Sequence, residues 1–214
     1  MRHTTRRVTD SETGAGREPA RPFIMKLLKD IAEIRSGFPF RKRPVRVQTG
    51  GCRLVQMRDI DKDTGTIAGN LAAVKEPANW EDHRLRMGDI LLTARGPKNT
   101  AAVVMLDIPN AIAASTLLVL RAKDIVFPFY LAWYLNLPHT RKRLRAMQAG
   151  SGIPFIPIDE LGNLPIHLPA MELQEKVVNL VSLGQEEQVL MELLRRKRLA
   201  LIEGAIRTLL NKSQ

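Results

Sequence analysis

The stretch SGIPFIPIDELGNLPIHLPAMELQEKVV, from Ser151 to Val178, divides the chain into two kinds of sequence. Pro154, Pro157, Pro165 and Pro169 recur through it every few residues. Proline fixes φ and carries no backbone donor, so no long helix forms before Pro169. Beyond Pro169 there is no proline, and apolar residues return at spacings of three and four through to Leu210. That period predicts one long helix, with Glu172 and Glu175 in its first turn, where negative charge complements the helix dipole. A Pro- and Gly-punctuated domain followed by a helical spacer predicts a module held at a fixed distance from something else, not an isolated enzyme.

The bulk properties agree. A chain of 214 residues suffices for one well-buried domain plus an appendage and is short for two. Lys and Arg number 33 against 22 Asp and Glu, a net charge of +11 with an isoelectric point near 10.3. Such an excess favours a polyanionic partner, nucleic acid before an acidic membrane surface. No apolar run approaches the roughly 18–20 residues that span a bilayer, and the N-terminus lacks the apolar core of a signal peptide. A cytoplasmic protein with no membrane association is therefore expected. The single cysteine, Cys52, excludes an intramolecular disulfide and Cys-rich zinc sites, and reads as a small buried residue.

Residues 1–22 read as a tail of Thr, Ser, Gly, Arg and Glu without periodicity, expected to be disordered. Patterning begins at Met25. Residues 23–168 read as one domain and 169–214 as the helix, giving an α+β fold with a mixed sheet. Leu27, Leu28, Ile31 and Ile34 suit a short helix or a strand start. In the basic-aromatic run Phe38 to Gln48, Pro39 and Pro44 argue for a loop or an edge strand. Cys52 to Ile60 predicts a half-buried strand and Asp61 to Gly65 a turn. Gly88 and Asp89 lead into a buried strand at Ile90 to Thr93. After the loop Arg95 to Thr100, further strands are expected at Ala101 to Leu106 and Ala113 to Leu120. Pro128 to Leu137 predicts a helix with proline in its first turn. Pro138 interrupts it, and Thr140 to Ala149 resumes as a basic helix containing RKRLR, Arg141 to Arg145. Short strands at this density predict a mixed sheet.

Taken in order, several segments resemble the specificity subunit of type I restriction–modification systems. MKLLKDIAEIRSG (Met25 to Gly37) resembles the opening of a target recognition domain. LRMGDILLTARG (Leu85 to Gly96) is similar to the family's Gly-Asp-Ile-Leu strand and following glycine loop. FYLAWYLNL (Phe129 to Leu137) resembles a later helix, and AGSGIPFIPIDELGNLPIHLP (Ala149 to Pro169) the closing segment. Gln174 and Val177 then match the family's Pro…Glu-Gln…Ile helix start, although Leu173 stands where the family usually has Glu. The resemblance implies a target recognition domain followed by a long coiled-coil spacer helix. It implies a non-catalytic subunit that reads one half of a split double-stranded DNA target. The implied partners are DNA adenine methyltransferase subunits and a separate restriction (motor-nuclease) subunit. Family members usually carry two recognition domains and two helices; this chain resembles half of one, so two copies would rebuild the arrangement.

Candidate DNA contacts follow from residue chemistry. Arg41, Lys42, Arg43 and Arg46 suit phosphate neutralisation, or a solvated charged loop. Gln48 and Arg58 have donors able to bridge base edges. In the loop Arg95-Gly-Pro-Lys98-Asn99-Thr100, Gly and Pro shape a turn while Arg95, Lys98 and Asn99 offer donors to phosphate or bases. That loop lacks the spacing of a nucleotide-binding P-loop. Gly150, Ser151 and Gly152 allow backbone amides to approach a phosphate, or form a hinge. Trp80, Trp133 and Tyr134 read as packing residues. On the C-terminal helix Leu190, Leu194, Leu201, Ala205 and Leu209 form one apolar stripe, suited to a partner helix or to packing on its own domain.

No catalytic set assembles. His3, His83, His139 and His167 are scattered without metal-ligand spacing, and no cofactor motif is present. Asp159 with Gln174 and Lys176 faintly matches a nuclease carboxylate-x-Lys pattern, but one acidic group holds a hydrolytic metal poorly. Two other classes remain: a stand-alone DNA-binding regulator, which would lack an evident helix-turn-helix, and a small metal-dependent nuclease.

Overall fold

The computed structural model describes residues 24–96, 98–105, 108, 110–150, 152 and 154–211. The expected tail, 1–22, lies outside the described residues. Strand β1 (Ile24–Leu27) runs through a single helical turn, α1 (Leu28–Ile31), into β2 (Ala32–Ser36). Strands β3 (Cys52–Val55), β4 (Ala72–Val74), β5 (Ile90–Thr93), β6 (Ala101–Val103), β7 (Ala111–Ala113) and β8 (Leu117–Ala122) follow. Helices α2 (Pro128–Asn136), α3 (Pro138–Ala146) and α4 (Ile158–Gly162) precede β9 (Pro165–Leu168) and the 41-residue helix α5 (Met171–Asn211).

A four-stranded antiparallel sheet in the order β2-β8-β5-β6 forms the centre. Its registers set Ile90 against Leu120, Leu91 against Val119 and Leu92 against Leu118. Side chains alternate along a strand, so these apolar runs divide between two faces. Ile90, Leu92, Leu118 and Leu120 join Leu131, Leu135, Leu144 and Ile166 in a core beneath α2 and α3. Leu91, Leu117 and Val119 join Val55, Leu71, Ala111 and Ala113 on the opposite face. There lies a three-stranded sheet, β4-β3-β7, antiparallel on one side of β3 and parallel on the other. Both faces of the central strands are covered, which is why they read as unbroken apolar runs. The outer face of the second sheet is closed by Trp80, Phe38 and Phe40 against Cys52, Leu54 and Ile112. Cys52 is buried as expected, and burial pushes its thiol pKa up.

Three boundaries differ from the sequence pattern. The strand from Cys52 stops at Val55, because Asp59 accepts the Gln56 N–H at 2.8 Å and the Gln56 side chain returns the bond, capping a 3-10 turn at Met57–Asp59. The run Ala113 to Leu120 divides between β7 and β8, since the chain changes sheets at a turn closed by Leu117 N–H to Ala114 O at 2.9 Å. Helix α3 begins at Pro138 itself: proline ends α2, yet its missing donor costs nothing in the first turn of the next helix.

Helix α5 touches the domain only through its first turns. Gln174 is buried, and Val177 and Val178 pack on the main core. From Gln185 onward its described side chains are almost all exposed. About 27 residues therefore project past Gly184, roughly 40 Å at 1.5 Å per residue. Among the described residues no helix is long and apolar enough to cross a membrane.

Candidate nucleic-acid interface

Strands β2, β3 and β5 run out at one end of the sheets. Ser36 at the end of β2 pairs with Leu118, Thr93 at the end of β5 with Leu117, and Val55 at the end of β3 with Ala113. Leu117, Leu118 and Ala113 flank the short turn between β7 and β8, so the connections after all three strands begin around that turn. These connections carry Arg41, Lys42 and Arg43, then Arg58, then Arg95 and Lys98, and all six are exposed. Topology thus starts three cation-bearing connections, from distant stretches of sequence, around one turn.

The connection after β5 is internally tied. Thr93 N–H donates to Thr100 O at 3.0 Å, Thr93 Oγ donates to Lys98 O at 3.0 Å and accepts the Thr100 N–H at 2.8 Å. Gln148, just beyond α3, donates to Gly96 O at 2.8 Å, and Gly96 turns with φ +84°. Backbone bridges join Arg95 to Phe155 and Phe155 to Ala149, which sets the glycine segment at Gly150 beside this loop. Bonds tie both sides of the loop, and Arg95 is exposed.

Asn99 corrects the sequence reading. It is 1% exposed, and its amide donates to Thr93 O at 2.8 Å and accepts from Gln148 at 3.3 Å. Its hydrogen-bonding groups face inward and close the loop, so they are not offered to base edges. Lys98 is exposed but sits 3.1 Å from the carboxylate of Asp63, an exposed pair worth little by itself.

The basic connection after β2 is anchored by Phe38, whose N–H donates to Ala113 O at 2.7 Å and whose ring meets Phe40 edge-on at 4.8 Å. It then lies along β4, with Lys75 N–H to Val45 O at 2.9 Å and Val47 N–H to Ala73 O at 3.1 Å. This is the irregular edge that the two prolines allow. It carries Arg46 to Val74, and Gln48 beyond it, beside the start of β3. Both are exposed but lie at the opposite end of that short sheet from Arg58 and Arg95. Gly51 makes the return possible, since at φ +75° a Cβ there would lie 2.2 Å from Val74 O.

The sequence pattern predicts the turn Asp61 to Gly65 and the basic helix at Arg141 to Arg145, but not how they join this surface. Asp61 Oδ1 accepts from Asp63 N at 2.9 Å, Thr64 N at 2.7 Å and Thr64 Oγ at 2.9 Å, which holds its carboxyl below the usual range. That turn is docked on the Arg95 loop by Thr100 Oγ to Lys62 O at 3.2 Å. The signal was present as Asp-x-x-Thr, a side chain that caps its own turn. Gln148 is not marked by the sequence pattern. The expected basic helix places Arg141 and Arg145 on one side of α3, with Gln148 just beyond it; Arg141 is tied to Asn136 at 3.0 Å and Arg145 is exposed.

On α5, Leu190 is 64%, Leu194 46% and Leu201 74% exposed, and Ala205 is exposed as well. These described members of the stripe do not pack on their own domain. Ser151 and the side chain of Leu209 lie outside the described residues. Trp80 and Tyr134 are buried and Trp133 packs on the main core, as packing residues should. Among the described residues no group of three His, Cys, Asp or Glu side chains is placed to hold a metal ion.

No protein-family model and no curated protein matches the chain. Solved structures do. A chain from work on complex assembly and conformational transition of the type I R-M system aligns at 22% identity and TM-score 0.62, covering 82% of this chain and 41% of that one. The HsdS subunit from Thermoanaerobacter tengcongensis aligns at 21% identity and TM-score 0.60, over 83% of this chain and 40% of that one. The type I restriction-modification S subunit from M. genitalium aligns at 13% identity and TM-score 0.55, over 80% and 41%. This chain therefore has the fold of type I restriction–modification S subunits, and spans about two fifths of the length of those it matches.

Proposed function

We propose that this chain is a non-catalytic, sequence-specific DNA-recognition module of a type I restriction–modification complex. It reads one half-site through the loop end of its sheets. Through α5 it docks DNA adenine methyltransferase subunits and, with them, the motor-nuclease subunit. The observation that supports this reading is that the connections bearing the exposed Arg41, Lys42, Arg43, Arg58, Arg95 and Lys98 all begin around one turn, on a fold shared with S subunits. Phosphate contacts there supply affinity, and the rigid loop bearing Arg95 supplies base discrimination.

Two copies pair α5 against α5. At 100° per residue, Leu183, Leu190, Leu194 and Leu201 fall within about 40° of one another, a narrow seam of exposed leucines. A parallel, in-register pair would set Arg195 to Arg198 against themselves. An antiparallel pair with its two-fold axis near Glu192 sets Leu190 against Leu194 and Leu183 against Leu201. It also faces Glu186 and Glu187 with Arg198 and Lys197, so charge favours this orientation.

The nuclease alternative is disfavoured by the commitments of its residues: Gln174 is buried among backbone groups and Lys176 pairs with Glu172. A stand-alone regulator would bind its target without partners. The deciding experiment titrates labelled duplexes at two salt concentrations, with and without a type I methyltransferase partner. Steeply salt-dependent binding, and sequence-dependent adenine methylation only when both proteins are present, is the expected result. Absence of duplex binding at low salt in either case refutes the recognition module. Magnesium-dependent cleavage by the chain alone, lost in Asp159→Ala, would establish the nuclease instead.

A further inference from the structure

The carboxamide of Gln174 ties the start of α5 to the connection between β8 and α2, at Ile125 and Phe127, and to the exit from β9 at Pro169. It is fully buried in the first turns of α5. Its Oε1 accepts the N–H of Phe127, at the start of α2, at 2.8 Å. Its Nε2 donates to Pro169 O, at the exit from β9, at 2.9 Å and to Ile125 O, after β8, at 3.3 Å. Phe127 is the N-cap residue of α2 and receives no cap from its own segment, so Gln174 supplies the acceptor from another helix. Only an amide fits these three partners, since it accepts on one atom and donates twice on the other. A carboxylate would face two carbonyl oxygens, and a thioether would leave all three backbone groups without this partner.

We propose that Gln174 is the positioning residue that fixes the direction in which α5 leaves the domain, so that the DNA-contacting end and the projecting helix move as one body. The surrounding contacts leave that task open. Val177 and Val178 pack on the core by apolar contact, which is non-directional, and beyond Gly184 the helix has almost no contact with the domain. Gln174 is the described α5 side chain that makes three directional bonds to backbone groups of the domain. The consequence for half-site separation rests on the proposed DNA-reading role; the fixed direction itself does not.

The test uses the full chain without DNA. Cys52→Ala removes the native thiol, and spin labels are placed at Asp82→Cys on the domain and Gln188→Cys on the helix. Labelled chain is diluted in unlabelled chain so that distances are intramolecular. Residue 188 lies about 21 Å along the helix from Gln174, so a tilt of about 10° moves it by about 4 Å, within reach of pulsed dipolar spectroscopy. The parent should give one narrow distance. Gln174→Met, similar in size, and Gln174→Glu, identical in shape, should both broaden and shift it, while Gln185→Met on the exposed face should not. A residue that only adds stability would lower the melting temperature and leave the distance distribution of the folded chain unchanged; that outcome overturns the proposal. Should Gln174→Met fail to fold, Gln174→Asn, too short to reach all three partners, decides in the same way. DNA binding measured on these variants separates the outcomes: loss of the fixed distance with half-site binding intact supports the positioning role, whereas absence of DNA binding in the parent refutes only the recognition reading.

Discussion

Replacing Asn99 by alanine separates a base-reading residue from a loop-closing one. The side chain is 1% exposed and donates to Thr93 O at 2.8 Å, a short bond between uncharged groups. Leaving a buried polar group without its partner costs about 1–3 kcal/mol. The weaker 3.3 Å contact from Gln148 and the small void add to this, so a total of about 2–3 kcal/mol is expected. At about 2–4 °C per kcal/mol for a domain of this size, the melting temperature should fall by roughly 4–12 °C. Thermal unfolding followed by circular dichroism reads that shift. Competitive binding of target and scrambled duplexes, measured well below the transition, reads specificity. Asn99→Ala should lower stability and impair the Arg95 loop as a unit. A melting temperature unchanged within about 1 °C, together with a reduced specificity ratio, would show that Asn99 faces DNA and that the burial argument is wrong.

Further outcomes follow from the same geometry. Arg95→Ala should relax discrimination between target and mismatched duplex by about 1–3 kcal/mol if its contact is bidentate, whereas Arg43→Ala should weaken all duplexes alike and lower the salt slope by about one; equal effects on both duplexes for both variants would remove Arg95 from base reading. Leu194→Asp with Leu201→Asp should yield monomers by light scattering, because charge would have to be buried in an apolar seam; an unchanged assembly state, with and without a methyltransferase partner, contradicts the pairing. Asp89 is buried and meets Arg121 at 2.8 Å through both oxygens, so Asp89→Ala should cost about 2–4 kcal/mol in denaturant titration, below a fully buried pair because Arg121 is partly exposed. Arg195 and Arg196 hold the Glu192 carboxyl down to about 2. A lowered folded pKa stabilises above the ordinary value of 4.5 and loses that contribution as pH falls from there toward about 2. The helical signal of the parent should therefore decline more over that window than that of Glu192→Gln, and superimposable curves would count against the ion pairs.

Much of the architecture was legible because it depends on local rules. Proline at 169 and none afterwards decided where the long helix starts, and its 3.6-residue period decided that it is a helix. The buried strand at Ile90–Thr93, the Pro-led helices and the loop at Arg95 are likewise set by composition and turn chemistry. A net charge of +11 favours a polyanionic partner whatever the fold. Two things were not local. The pattern of Ala113 to Leu120 cannot show that a chain changes sheets at Ser115 and Thr116, because both halves are equally apolar and only their pairing partners differ. Nor can it show which way a polar side chain in a loop faces: Arg95 and Asn99 carry similar donors four residues apart, and the tertiary fold turns one outward and buries the other. That the cation-bearing connections after β2, β3 and β5 begin around one turn is a property of strand direction and order, created by hydrogen bonds between residues tens of positions apart. Sequence alone determined the chemistry carried by this chain and the place of its long helix; tertiary pairing decided where the strands end and which of those groups share a surface.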